Sequence, residues 1–147
     1  MVKLVKFKKY IDNNGKLVPF YCNSKKNFPF LNKRVFLVYG KKNLKRSDHA
    51  HKKCKQLLYC VSGKIEVIVN KKKKFIITEK KNTALLVPEL NWTEVYFKKK
   101  GSILMVFCDQ NYSSNEYLRK YNKFLEYKKK KSWNYWLQDQ WVTLGPI

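Results

Sequence analysis

Short apolar runs separated by turn residues recur along the whole chain, the pattern of β-strands rather than helices. Val2 to Ile11 alternates bulk with charge and stops at Asp12-Asn13-Asn14-Gly15, residue types that favour a tight turn. Lys16 to Cys22 predicts a second strand, with Pro19 suiting an edge position. Phe28-Pro29-Phe30 breaks the chain before a strand over Lys33 to Tyr39, and Gly40 to Asp48 reads as a polar loop. From His51 the strands close up. Gln56 to Val61 and Lys64 to Val69 flank Ser62-Gly63, which predicts a hairpin. Lys73 to Thr78, Thr83 to Val87, Thr93 to Phe97 and Ser102 to Phe107 follow at even spacing, with breaks at Pro88 and Gly101. Strands so spaced, with no helix between them, predict a sandwich or barrel.

One helix is predicted near the end. Ser113 or Ser114 is placed to cap it, Glu116 falls in its first turn, and Tyr117, Leu118, Tyr121, Phe124 and Leu125 repeat at helical spacing. Such a face suits a helix laid on the outside of a β-structure. After Glu126 the composition shifts to a lysine run, Lys128 to Lys131, and then to a crowd of aromatics, Trp133, Tyr135, Trp136 and Trp141. This divides the chain into a main domain, 1–127, and a basic, Trp-rich tail, 128–147. The tail is expected to pack on the body or on a partner subunit.

The 147 residues fit one core. Lysines interrupt every apolar run, so no segment predicts a membrane-spanning helix, and the N-terminus lacks the apolar stretch of a signal peptide. The expectation is a cytoplasmic protein with no membrane partner. Its four cysteines form no C-x-x-C pair and are expected as free thiols, with Cys60 and Cys108 as small core residues. The net charge of +23 raises a nucleic-acid reading, but only Arg34, Arg46 and Arg119 among 33 basic residues are arginine. Sequence-reading surfaces favour the guanidinium fork, so the lysines read as a solvated face and the few arginines as clues to a site.

His49 and His51, the only histidines, form His-Ala-His. In an extended segment both imidazoles share one face. Four residues separate His51 from Gln56, and six more lead to Gly63. This spacing resembles the first motif of the cupin superfamily, whose metal-binding members hold an ion with two His, a Glu and a later His. Here Gln56 stands at the Glu position and Thr93 near the later His. An amide and a hydroxyl are poor replacements for those ligands, so no metal and no cofactor are expected and the pair reads as free imidazole able to carry protons.

The resemblance extends to Lys33-Arg34-Val35, the run from Arg46 to Lys53, Gln56, Trp92-Thr93-Glu94, Asp109-Gln110-Asn111-Tyr112 and Tyr117-Leu118-Arg119-Lys120-Tyr121. In this order they are similar to the sugar 3,4-ketoisomerases, the dTDP-4-keto-6-deoxyglucose isomerases of the WxcM-like cupin family, over about Val2 to Tyr127. The resemblance implies an all-β cupin, or jelly-roll β-barrel, with one C-terminal helix. It also implies a homodimer with exchanged N-terminal strands, working in deoxysugar and surface-glycan biosynthesis. The substrate implied is a dTDP-linked 4-keto-6-deoxy sugar, isomerised by proton transfer between C3 and C4. His49 would then be the C3 base and His51 the shuttle, or the two roles would be exchanged. Arg34 and Arg46 would grip phosphate or sugar oxygens, while Tyr39, Gln56, Trp92 and Glu94 would line the substrate. Arg119 reads as a surface ion-pair partner. The chain departs from the family's usual Arg-Gly-x-His at Ser47, from Trp-His-Glu at Thr93, and from the tyrosines after Arg-Val at Phe36 and Leu37. The rival readings are a non-catalytic nucleotide-sugar-binding cupin, a basic nucleic-acid binder, and a metal-dependent dioxygenase-type cupin, against which the missing Glu and His ligands speak.

Overall fold

The computed structural model describes residues 1–144, with side chains as far as Asp139. In chain order its elements are β1 (Lys3–Lys6), β2 (Tyr10–Asp12), β3 (Gly15–Leu17), β4 (Arg34–Tyr39), β5 (Lys45–His51) and β6 (Gln56–Ser62). There follow β7 (Lys64–Val69), β8 (Lys73–Thr78), β9 (Thr83–Val87), β10 (Thr93–Phe97), β11 (Ile103–Cys108), β12 (Tyr117–Leu118) and the helix α1 (Tyr121–Leu144).

The strands form two five-stranded antiparallel sheets, β1-β9-β6-β11-β4 and β12-β5-β10-β7-β8, with β2 and β3 pairing only each other. This is a cupin jelly roll built as two facing sheets rather than a closed barrel. Alternation along each strand sets the layers. Leu58 and Cys60 of β6, Ile65 and Val67 of β7, Val95 and Phe97 of β10, and Leu104 and Val106 of β11 point inward into one core between the sheets. Leu57, Tyr59 and Phe107 point out of the first sheet and are covered by Phe7, Phe20, Phe28 and Phe30. Ala50 and Trp92 point out of the second sheet and are covered by Phe124 of α1.

Several local expectations are corrected. Ser62-Gly63 is no hairpin: β6 and β7 lie in different sheets, and the chain turns the corner between them at Gly63. That glycine has φ +82°, and a Cβ there would overlap Ser102, whose Oγ accepts from the Lys64 N–H. The run from Val2 to Ile11 splits into β1 and β2. Only Gly15–Leu17 of the next run is strand, because Val18 and Phe20 turn in to cover the first sheet. The loop after Tyr39 ends early, with β5 already under way at Lys45. The helix starts later than its apolar spacing suggests. Ser113 makes no side-chain cap, Ser114–Glu116 is one 3₁₀ turn, and Tyr117–Leu118 pairs with β5. Tyr117 fits that edge strand, where its ring meets apolar and aromatic neighbours, better than a solvated first helical turn. Finally, α1 runs without a break into the tail, and Trp133, Tyr135 and Trp136 are exposed instead of packed on the body; the side chain of Trp141 lies outside the described residues.

One irregularity bears on the site. Between β5 and β10 the register shifts: Glu94 faces Asp48, but Val95 faces Arg46, leaving Ser47 as the extra residue of a bulge at φ +54°. The left-handed backbone explains why glycine suits this position. We expect Ser47→Gly to keep or raise stability and Ser47→Val to lower it by about 1–3 kcal/mol, the usual cost of a strained backbone position, as read from urea midpoints.

Candidate active site

The inner face of β5 carries the histidines. Asp48 and Ala50 point the other way, where Asp48 accepts from Trp92 Nε1 at 3.1 Å and from Lys45 at 2.8 Å, and Ala50 packs under Trp92 and Phe124. This outer anchoring fixes the strand and hence the direction of the imidazoles. His49 Nε2 and His51 Nε2 stand 3.2 Å apart, so one ring donates to the other. Thr93 Oγ1 donates to the His49 carbonyl at 3.4 Å and lies 3.2 Å from Ser47 Oγ. The two departures from the family pattern, Ser47 and Thr93, therefore form one hydroxyl pair across the bulge.

Tyr117 closes the pair from the other side. Its ring centroid lies 5.0 Å from that of His49 and 4.6 Å from that of His51. The segment carrying it is tied down by Glu116, whose carbonyl accepts from Lys52 N at 2.9 Å and whose carboxylate accepts from the Lys53 and Cys54 N–H groups. Helical spacing had hidden Tyr117 from the sequence reading. Its signal was the Tyr-Leu-Arg motif rather than its periodicity. Arg119 stacks its guanidinium 4.4 Å above the Tyr117 ring, and this replaces the expected surface ion pair.

Beside the histidines lies a cavity of about 160 Å³ lined by His49, Arg46, Ser47, Gln56, Thr93 and Tyr117, with an apolar floor that includes Phe36, Leu58 and Val106. His51 sits behind His49, 6% exposed, with no partner for its Nδ1 among the described residues. Burial is the first cause of both imidazole shifts. It holds His49 at about 4, helped by the charge of Arg119, and His51 at about 3, helped by His49 and the two arginines 34 and 119. Both rings are therefore neutral at pH 7.

Of the residues singled out in the sequence, His49, Arg46 and Gln56 line the cavity. Arg34 enters from the opposite sheet, its guanidinium over the rings of Phe36 and Tyr112 and its Nη2 donating to Cys108 Sγ at 3.6 Å. Cys108 is more than core filler: the neighbouring Cys54 thiol, with the Arg34 and Gln56 groups that each donate to its Sγ at 3.6 Å, holds the Cys108 thiol below its ordinary range while Cys54 is driven up. Three expected substrate-lining residues are not brought to the cavity. Tyr39 ends the edge strand β4, 70% exposed, because Phe36 and Val38 take the inward places. Trp92 is buried on the outer face under α1, and Glu94 faces the same way, ion-paired to Lys71 at 2.7 Å. Both are turned out by the alternation that points Thr93 inward. Among the described residues no three His, Cys, Asp or Glu side chains converge on a metal position.

Comparison with known proteins finds similar sugar 3,4-ketoisomerases. The curated TDP-4-oxo-6-deoxy-alpha-D-glucose-3,4-oxoisomerase of Aneurinibacillus thermoaerophilus is 34% identical over 128 residues, covering 85% of this chain and 91% of that protein. QdtA, a sugar 3,4-ketoisomerase from Thermoanaerobacterium thermosaccharolyticum solved in complex with TDP, superposes with a TM-score of 0.79 at 30% identity, covering 88% and 96% of the two chains. A histidine-to-asparagine mutant of that enzyme was solved in complex with TDP-4-keto-6-deoxyglucose. The WlaRB TDP-quinovose 3,4-ketoisomerase of Campylobacter jejuni gives a TM-score of 0.76 at 29% identity, covering 85% and 97%. The family model described as FdtA, WxcM-like, C-terminal, matches residues 1–129, and the chain belongs to that family.

Proposed function

We propose that this chain is a sugar-nucleotide 3,4-ketoisomerase that converts TDP-linked 4-keto-6-deoxy-D-glucose to the 3-keto isomer, without a metal. The observation that carries the reading is the contact of two neutral imidazoles, His51 buried and His49 half-buried and facing a cavity. The 4-keto group acidifies the C3 hydrogen. His49, on the cavity wall, takes that proton while the C4 carbonyl oxygen accepts one, giving an enediol. A proton then returns to C4, and the C3 hydroxyl gives up its own to become the new ketone, so substrate and product are isomers. His51, 3.2 Å behind, is the second station through which a proton can pass. At a water's share of ~30 Å³ the cavity holds about five waters, the scale of one sugar ring rather than a nucleotide. That leaves the pyrophosphate toward the mouth, where Arg46 and Arg119 bring positive charge. The donor set supports acid–base chemistry over metal chemistry, since an amide and a hydroxyl occupy the places of a carboxylate and an imidazole.

A cytoplasmic homodimer serving surface-glycan synthesis completes the proposal. Four free thiols suit a reducing compartment. β1 is an edge strand with one neighbour, gripped at its end where Asn82 Nδ2 donates to the Phe7 carbonyl at 2.6 Å, an arrangement that can be handed to a second copy unchanged. At the other edge, β4 exposes Val35, Leu37 and Tyr39 in a row, an apolar strip that a partner would cover.

Three outcomes are expected. Followed by NMR with TDP-4-keto-6-deoxyglucose, His49→Asn or His51→Asn should slow isomerisation by about 10²–10⁴ with the far-UV spectrum intact, and chelator dialysis should leave the wild-type rate unchanged. Full activity in the double variant would reject the two imidazoles as the proton carriers, whereas binding without any isomerisation by the wild type would leave a non-catalytic binder. For pH, folding lowers both imidazoles below their ordinary 6.5, so between that value and about 3–4 the unfolded chain binds more protons. Their contribution to stability is fully present above 6.5 and is lost as pH falls through about 4. The melting temperature should drop across that window, less so in the double variant, and the acid limb of kcat/KM should lie below 6.5. Light scattering should return twice the chain mass at micromolar concentration; a monomer would reject the dimer.

A further inference from the structure

The family match ends at residue 129, yet α1 continues to Leu144. The first turns of that helix are accounted for by Tyr121 and Phe124 on Trp92. The later turns are not. Lys128 to Lys131 form an unbroken basic collar, and from Tyr127 to Gln138 the sequence has no acidic residue. Beyond the collar, Trp133, Trp136 and Leu137 stand at i, i+3 and i+4 and so share one stripe of the helix. They are 57, 55 and 47% exposed, and the two indole rings meet at 6.1 Å. Lys129 and Lys130 lie one turn earlier on the same side and border a shallow groove with Trp133. A tryptophan stripe costs a helix solubility unless something covers it.

We propose that this C-terminal part of α1 docks on the surface of an anionic phospholipid bilayer, its lysines among the headgroups and Trp133, Trp136 and Leu137 at the acyl boundary. Indoles favour that boundary, where an apolar body meets a polar N–H, and lysines beside them add attraction to anionic lipid. Among the described residues no helix is long and apolar enough to cross a membrane, but lying in the interface requires neither length nor continuous apolarity. Charge selects this occupant over a second copy. Joining two such stripes brings together two lysine runs on chains that each carry +23. It also disfavours nucleic acid, because α1 has no arginine to clamp phosphates and its indoles lie on a convex helix rather than in a groove.

The test uses the full chain with vesicles of phosphatidylcholine, with and without phosphatidylglycerol, at physiological salt. Sedimentation with the anionic vesicles only and a blue shift of tryptophan emission are expected. The double variant Trp133→Ser, Trp136→Ser, which leaves every charge in place, should weaken binding by about tenfold or more while its melting temperature stays unchanged. Lys128→Gln through Lys131→Gln, made together, should do the same. Equal binding by the tryptophan variant would mean the lysine-rich surface alone adsorbs, and would overturn the proposal. So would absence of vesicle binding, loss of a lipid-free oligomer in the tryptophan variant, or the same emission shift with a single-stranded oligonucleotide.

Discussion

The site depends on one constraint: two imidazoles that share a face of β5 must stay uncharged while touching each other. Burial supplies this, and the nearby guanidinium groups reinforce it, since a positive charge beside an imidazole penalises its protonation. The arrangement makes the outer face of β5 as consequential as the inner one. Asp48, Trp92 and Phe124 never reach the cavity, yet they hold the strand whose other side carries the chemistry. Tyr117 completes the enclosure, and its own position rests on the Glu116 carboxylate gripping the turn after His51.

Much of this was legible in the sequence where a single local rule applied. Period-two alternation located β4 and β6 through β11 nearly to the residue and put His49 and His51 on one face, but the polar first half of β5 reads as loop. Local rules failed where partners are distant. Ser62-Gly63 has hairpin chemistry, and nothing nearby reveals that its two strands belong to different sheets. Tyr117 and Leu118 continue a helical repeat, so their pairing with the distant β5, Tyr117 opposite His51 and Leu118 opposite Ala50, was invisible. The same alternation that oriented the histidines also turns Trp92 and Glu94 away from the cavity, on either side of inward Thr93; motif likeness grouped all three without regard to face.

The departures from the family pattern form a coherent set. Ser47 occupies a bulge that prefers glycine and joins hydroxyls with Thr93 beside His49. A polar pair thus stands where the usual motif combines no side chain with an imidazole. Phe36, in place of a tyrosine, makes the floor of the cavity apolar and gives Arg34 a ring to stack on. The imidazole pair is kept while the side chains around it are redrawn.

From β4 to β12 the chain stays within one sheet only at the β7–β8 turn; every other link crosses to the opposite sheet. Neighbouring strands are therefore remote in sequence, and such topologies assemble slowly because loops must close before contacts reward them. The walls of the cavity come from β4, β5, β6, β10, β11 and β12, so no early fragment or half-built intermediate can possess it. Turnover in this protein is accordingly a readout of finished assembly: a chain stalled with one sheet incomplete has no partially active state to fall back on.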